Sequence, residues 1–129
     1  MEDFGQKTIL IADDEKEVLT FLTNILRRAG YKVISTTRGS EVLALAQQSP
    51  PDLVILDIIM PDLSGDAVAS HLMEKPATAK IPVIFLTAIL TKEEEGRRGG
   101  FGRQFVIAKP ATPEKILELV KNALQANPV

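Results

Sequence analysis

Apolar residues along this chain fall into two alternating kinds of segment. Short runs rich in β-branched and other strand-forming residues at 8–12, 31–35, 53–56, 83–86 and 105–108 read as strands. Several of them, Leu53-Val54-Ile55-Leu56 above all, are apolar without a break, as strands covered on both faces must be. Between the first two, Val18, Leu22, Ile25 and Ala29 recur at helical spacing, with Asp14 and Glu17 as an N-terminal capping pair and Gly30 as the stop. A last helix over 112–126 has Thr112 as its N-cap, Pro113 in the first helical position, and Ile116, Val120, Ala123 and Leu124 on one face. The full count is five strands and five helices in strict alternation, which predicts a parallel sheet with right-handed crossovers and helices on both faces. The fourth helix is the weak member. From 91 to 103 the only large apolar residue is Phe101, so no stripe exists to bury; Thr91 and Glu94 can cap only a short helix that frays.

Composition narrows the function without choosing it. A chain of 129 residues, 45% hydrophobic and 25% charged, has the size of one domain, and no repeat, linker or second domain is visible, so 1–129 reads as one unit with its core at about 7–126. A formal net charge of -2 with no basic stripe argues against nucleic acid as a direct partner. The absence of cysteine removes disulfides, thiolate metal sites and Cys nucleophiles, and fits a reducing cytoplasm. No basic, apolar leader opens the sequence and no run of ~18 apolar residues spans a bilayer, so neither secretion nor a membrane is expected.

The candidate chemistry lies where the strands end. In an open parallel sheet the loops leaving the carboxyl ends line one edge, and ligands bind there. The first strand ends in Asp13-Asp14-Glu15, the third in Asp57, the fourth in Thr87 and the fifth in Lys109-Pro110. Clustered carboxylates repel one another unless a cation neutralises them, so Asp13, Asp14 and Asp57 together imply a hard divalent metal. Mg2+ suits so small a ligand set, because it keeps several waters and leaves positions for phosphate oxygens. The Lys109 ammonium and Thr87 hydroxyl would then take the remaining phosphoryl oxygens, a constellation for phosphoryl transfer to a carboxylate.

Four stretches carry a family resemblance: Ile9-Leu10-Ile11-Ala12-Asp13-Asp14-Glu15, Asp57-Ile58-Ile59-Met60-Pro61-Asp62-Leu63-Ser64-Gly65, Ile81-Pro82-Val83-Ile84-Phe85-Leu86-Thr87-Ala88 and Ala108-Lys109-Pro110. Together they resemble the receiver domains of two-component response regulators, over nearly the whole chain. The resemblance implies a flavodoxin-like (βα)5 three-layer sandwich with a parallel sheet of order 2-1-3-4-5. It implies Asp57 as the nucleophile toward a phosphohistidine on a sensor histidine kinase or phosphotransfer protein, and Asp13, Asp14, Asp57 and the Ile59 carbonyl as metal ligands. Thr87, the Ala88 N–H and Lys109 would bind the phosphoryl group, and Lys109 would precede a cis peptide at Pro110. The implied protein is a phosphorelay switch and not an enzyme on other substrates. It acts on a downstream effector that the sequence does not name, and a homodimer formed on phosphorylation is neither compelled nor forbidden.

Taken singly, these residues have plainer readings. Asp14 is a good N-cap, Thr87 a common strand residue and Lys109 a solvated charge; only the conjunction gives them chemistry. His71, the sole histidine, reads as surface decoration on the third helix, and the Gly96, Gly99, Gly100, Gly102 stretch as a connection, since it lacks the strand and helix that a phosphate-binding loop requires. Two rivals differ in class. A flavin-binding module of this fold would need phosphate donors where Asp13, Asp14 and Glu15 stand, and an inert scaffold would have no use for both Asp57 and Lys109.

Three departures from the family pattern bear on mechanism. The switch aromatic, expected three residues before the lysine, is replaced by Val106, with Phe105 one position earlier; strand alternation aims Phe105 the other way unless a bulge intervenes. The weak fourth helix belongs to the family's output surface, so that surface is expected to order only with a partner or on modification of Asp57; amide exchange that is fast and identical in both states would refute this. Ile59 and Ile89 stand two residues past Asp57 and Thr87, where polar groups often orient a hydrolytic water. Slow self-dephosphorylation is expected, and an Ile59→Asn variant that hydrolyses no faster would count against it.

Overall fold

The structure is a computed structural model describing residues 6–87, 104–108 and 111–125, with backbone alone for Thr87 and 104–108. Strands β1 (Thr8–Ala12), β2 (Lys32–Thr36), β3 (Leu53–Asp57), β4 (Val83–Thr87) and β5 (Gln104–Ala108) form one sheet of order β2-β1-β3-β4-β5, all neighbours parallel. Helices α1 (Lys16–Arg28), α2 (Val42–Gln48), α3 (Gly65–Glu74) and α4 (Pro113–Gln125) connect or follow them, with a short 3-10 turn, Gly39–Glu41, leading into α2. The sheet order expected from the resemblance is thus the one found. The expected fourth helix, with Thr91, Glu94, Phe101 and the glycine stretch, lies outside the described residues.

Strand alternation divides the core in two. Ile9, Ile11, Leu53, Ile55, Ile84 and Leu86 face α1 and α4, where Leu19, Leu22, Leu26, Ile116, Val120 and Ala123 meet them. Leu10, Ala12, Val54, Leu56, Val83 and Phe85 face α2 and α3, against Val42, Ala46, Val68, Ala69 and Leu72. Central β3 is buried along its whole length, which is why its sequence shows no alternation. Burying each such Leu or Ile stabilises the fold by about 1.5–3 kcal/mol.

Local signals explain the element ends, and correct three expectations. Helix α1 is closed by Gly30 at φ 99, whose N–H reaches the Arg27 carbonyl while the Tyr31 N–H reaches that of Leu26. Tyr31 is therefore part of the helix stop, and β2 runs from Lys32 to Thr36 and not over 31–35. At the other end the N-cap position is Glu15, with no side-chain cap bond, so Asp14 is not the cap. The buried stripe is Leu19, Leu22 and Leu26 flanked by Val18 and Ile25, while Ala29 is exposed; the inward face is turned from the one expected. The last helix starts as anticipated, with Thr112 Oγ1 accepting from the Lys115 N–H at 3.1 Å and Pro113 in first position, and ends at Gln125. Among the described residues no helix is long and apolar enough to cross a membrane.

Candidate functional site

Parallel pairing brings the chemistry-bearing residues to one edge of the sheet. Ala12 pairs with Leu56 and Asp57 with Leu86, so Asp13, just past β1, and Asp57, the last residue of β3, leave neighbouring strands at the same level. Thr87 closes β4 opposite Ala108 of β5. The backbone thus sets the acceptor candidate between the acidic loop and the strand carrying Thr87 toward its end. For Thr87 the placement concerns the backbone; Ala88, Ile89, Lys109 and Pro110 lie outside the described residues.

Three carboxylates converge there. One oxygen from each of Asp13, Asp14 and Asp57 lies within 4.8 Å of the others. Asp13 is 1% and Asp57 6% exposed, while Asp14 faces solvent. At that separation two like charges repel by about 1 kcal/mol in water and about 3.5 kcal/mol at an effective dielectric constant of ~20. Such a donor set fits a hard divalent cation with oxygen ligands, which removes the repulsion. The Glu15 N–H donates to Asp13 Oδ1 at 2.9 Å, fixing that carboxylate just before α1 begins. In this way Asp13 and Asp14 belong to the acidic cluster, while Glu15 holds the N-cap position of α1 through its backbone.

The loop after Asp57 folds tightly back. The Gly65 N–H donates to the Ile58 carbonyl at 2.7 Å, and a Cβ on Gly65 would collide with the Asp57 carbonyl oxygen and lie 2.9 Å from Ile58 Cα. Only glycine lets α3 start against the backbone at the end of β3. Ser64 caps that helix, its Oγ accepting from the Ala67 N–H at 3.3 Å. Met60 is buried, whereas the Ile59 side chain, two residues past Asp57, is 55% exposed. His71 is exposed on α3, in keeping with a surface role. The β4–β5 pairing runs one-to-one from Gln104 to Ala108, with Phe105 level with Ile84 and Val106 with Phe85, so no bulge resets the register at the replaced switch position.

Other residues at this edge drew no role from the sequence. Thr36, at the end of β2, accepts the Asp13 N–H on its carbonyl at 3.2 Å. Its Oγ1 donates to Glu41 Oε1 at 2.6 Å and accepts from the Arg38 N–H at 3.1 Å. Asp62 accepts from the Gly39 N–H at 3.1 Å and from the Ser40 N–H at 3.0 Å, one carboxylate oxygen each. The Ser40 amide, then the Ser40 hydroxyl, and also the Gly39 amide hold the Asp62 pKa down at about 2, with partial desolvation opposing them. The Gly39–Glu41 turn has Arg38 at its N-cap position with no side-chain cap bond, and Asp62 takes the Gly39 and Ser40 N–H groups instead.

A parallel five-stranded α/β sheet of order 2-1-3-4-5 with a carboxylate cluster at the carboxyl end of its strands defines the architectural class, and comparison with known proteins gives the family. The model of the response regulator receiver domain matches residues 9–121, and this chain belongs to that family. The polar-differentiation response regulator DivK of Brucella anthropi is 32% identical over 118 residues, covering 92% of this chain and 96% of DivK. The solved structure of chemotaxis protein CheY4 of Vibrio cholerae superposes with a TM-score of 0.82 at 25% identity, covering 92% of this chain and 99% of CheY4. A Vibrio cholerae protein named as a probable cyclic di-GMP phosphodiesterase is 36% identical over 125 residues, or 97% of this chain. The chain spans only 28% of that relative's length, and what the likeness supports is a signalling regulator.

Proposed function

We propose that this chain is a phosphorelay receiver in which Asp57 accepts a phosphoryl group with Mg2+ bound beside it. The observation that carries this reading is the convergence of Asp13 and Asp14 on Asp57 at the carboxyl end of the central strands. Asp13, Asp14, Asp57 and the Ile59 carbonyl would hold the metal. When bound, it would supply positive charge to offset the carboxylates and the phosphoryl oxygens.

A carboxylate oxygen of Asp57 attacks the phosphorus of a phosphohistidine on a sensor histidine kinase or phosphotransfer protein. The new P–O bond forms as the P–N bond breaks, and its electron pair leaves with the imidazole. Thr87, the Ala88 N–H and Lys109 are assigned to the phosphoryl oxygens, and Lys109 would precede a cis peptide at Pro110. Phe105 and Val106 stand where switch coupling would run. The half-exposed Ile59, together with Ile89, would keep hydrolytic water poorly oriented and the acyl phosphate long-lived.

The chain would therefore turn over no substrate beyond its own phosphorylation and slow dephosphorylation. We read it as one cytoplasmic receiver domain over 1–129, core about 7–126, which answers to a kinase and passes its state to a protein effector with no direct nucleic-acid or membrane contact. The reading leaves a phosphorylation-dependent homodimer open. Intact mass after incubation with magnesium and acetyl phosphate tests it. One phosphoryl adduct that needs both magnesium and Asp57, and is absent from Asp57→Ala, is expected; a wild type that takes no adduct at millimolar metal refutes it and leaves a scaffold.

A further inference from the structure

The proposed metal ligands lie at the ends of two neighbouring strands and in the loops that leave them, and a third segment joins those loops. Asp13 belongs to the loop after β1, and Asp57 closes β3 with Ile59 in the loop that follows. The end of β2 and the segment that follows it to α2, containing the Gly39–Glu41 turn, touch both. On one side Thr36 takes the Asp13 N–H on its carbonyl, and its hydroxyl is tied into the turn by Glu41 and the Arg38 N–H. On the other side both oxygens of Asp62 clasp the consecutive N–H groups of Gly39 and Ser40. The turn also packs directly on the acceptor loop: a Cβ on Gly39 would lie 2.5 Å from the Leu63 carbonyl oxygen and 3.1 Å from Met60 Cε. The path from Asp13 through Thr36, the turn and Asp62 thus returns to the loop of Asp57 and Ile59.

We propose that Asp62 is a positioning residue for metal binding, because its bidentate grip on the Gly39–Ser40 amides fixes the spacing between the two loops that present the ligands. This rests on the reading of the site as a magnesium-dependent phosphoacceptor. A carboxylate suits the task better than a neutral cap, since it accepts two N–H bonds at once and each is charge-assisted. Its position three residues past Ile59 makes it the point at which the acceptor loop is held from outside.

A helix cap and a positioning residue differ in what their loss changes. The dissociation constant of Mg2+ is measured calorimetrically on the wild type, Asp62→Ala, Asp62→Asn and Ser64→Ala, alongside the magnesium dependence of acetyl phosphate uptake. Ser64→Ala is the control: it removes the α3 cap from the same loop without touching the turn. Asp62→Ala is expected to weaken magnesium binding by about tenfold, the scale seen when groups that orient metal ligands are removed, and to shift the uptake curve to higher metal by the same factor. Asp62→Asn, which keeps one acceptor oxygen, should fall between, and Ser64→Ala should stay within about twofold of the wild type.

An Asp62→Ala protein that folds and binds magnesium within about twofold of the wild type would overturn the proposal. If the alanine variant fails to fold, the isosteric asparagine decides it by the same criterion. A wild type that neither binds magnesium nor takes up the phosphoryl group would remove the underlying reading, and this inference with it.

Discussion

Leu56 and Asp57 are adjacent on β3 and both are buried, at 0% and 6% exposure, yet they do opposite things for the fold. Leu56 lies among Leu10, Val54, Val68 and Phe85 in the layer toward α2 and α3. Asp57 lies within 4.8 Å of two further carboxylates. The first stabilises the domain whatever is bound; the second adds a charge to a carboxylate cluster, where a bound cation would lower the repulsion. Within one residue the strand passes from core to site, and the difference is visible only when stability and metal are varied together.

The largest expected effects break that pair apart. Leu56→Ala should lower the free energy of unfolding by about 2–5 kcal/mol, read from urea midpoints, and equally with or without magnesium. Asp57→Asn should be at least as stable as the wild type in the absence of metal, since it removes one of three crowded charges, while abolishing the adduct. Magnesium at ten times its dissociation constant should stabilise the wild type by about 1.4 kcal/mol, and Asp57→Asn by much less. An Asp57→Asn variant that loses as much stability as Leu56→Ala would mean that Asp57 is a structural polar residue.

Gly65→Ala sharpens the comparison from the backbone side. The added Cβ would collide with the Asp57 carbonyl oxygen, so α3 has to shift away from the acceptor strand. The cost is expected at about 1–3 kcal/mol in urea midpoint terms, together with slower uptake from acetyl phosphate. Ser64→Ala, at the same helix start, should cost about 1 kcal/mol with uptake intact. Equal uptake by the two variants would show that the contact with Asp57 matters for packing alone.

What could be read from the sequence divides along the same line. The unbroken apolar run of β3, the periodicity of α4 and the order of the segments are short-range signals, and they carried the layers and the place of Asp57 at the end of the central strand. Asp14 carried two sequence readings, helix cap and member of an acidic cluster, because a carboxylate just before a helix looks alike in either place; the backbone puts Glu15 at the cap position and the Asp14 carboxylate beside Asp57. Tyr31 was misread as a strand residue because its N–H closes α1, a bond that apolar patterning does not register. The grip of Asp62 on Gly39 and Ser40 spans 23 and 22 residues, from side chain to backbone, and no periodicity reports such a link.

That link predicts the smallest effect, confined to acid. The folded-state pKa of Asp62 is lowered from 3.8 to about 2, first by the Ser40 amide and then by the Ser40 hydroxyl. A depressed carboxylate contributes stability that is complete above its unfolded value and is lost as pH falls through its folded one. The stability gap between wild type and Asp62→Ala should therefore be flat from pH 8 to about pH 5 and narrow only below about pH 4. Because Asp62 is exposed, the narrowing is modest and weaker in high salt. A gap that instead closed between pH 5 and 8 would mean that some group other than the Asp62 carboxylate controls how the turn is held against the acceptor loop.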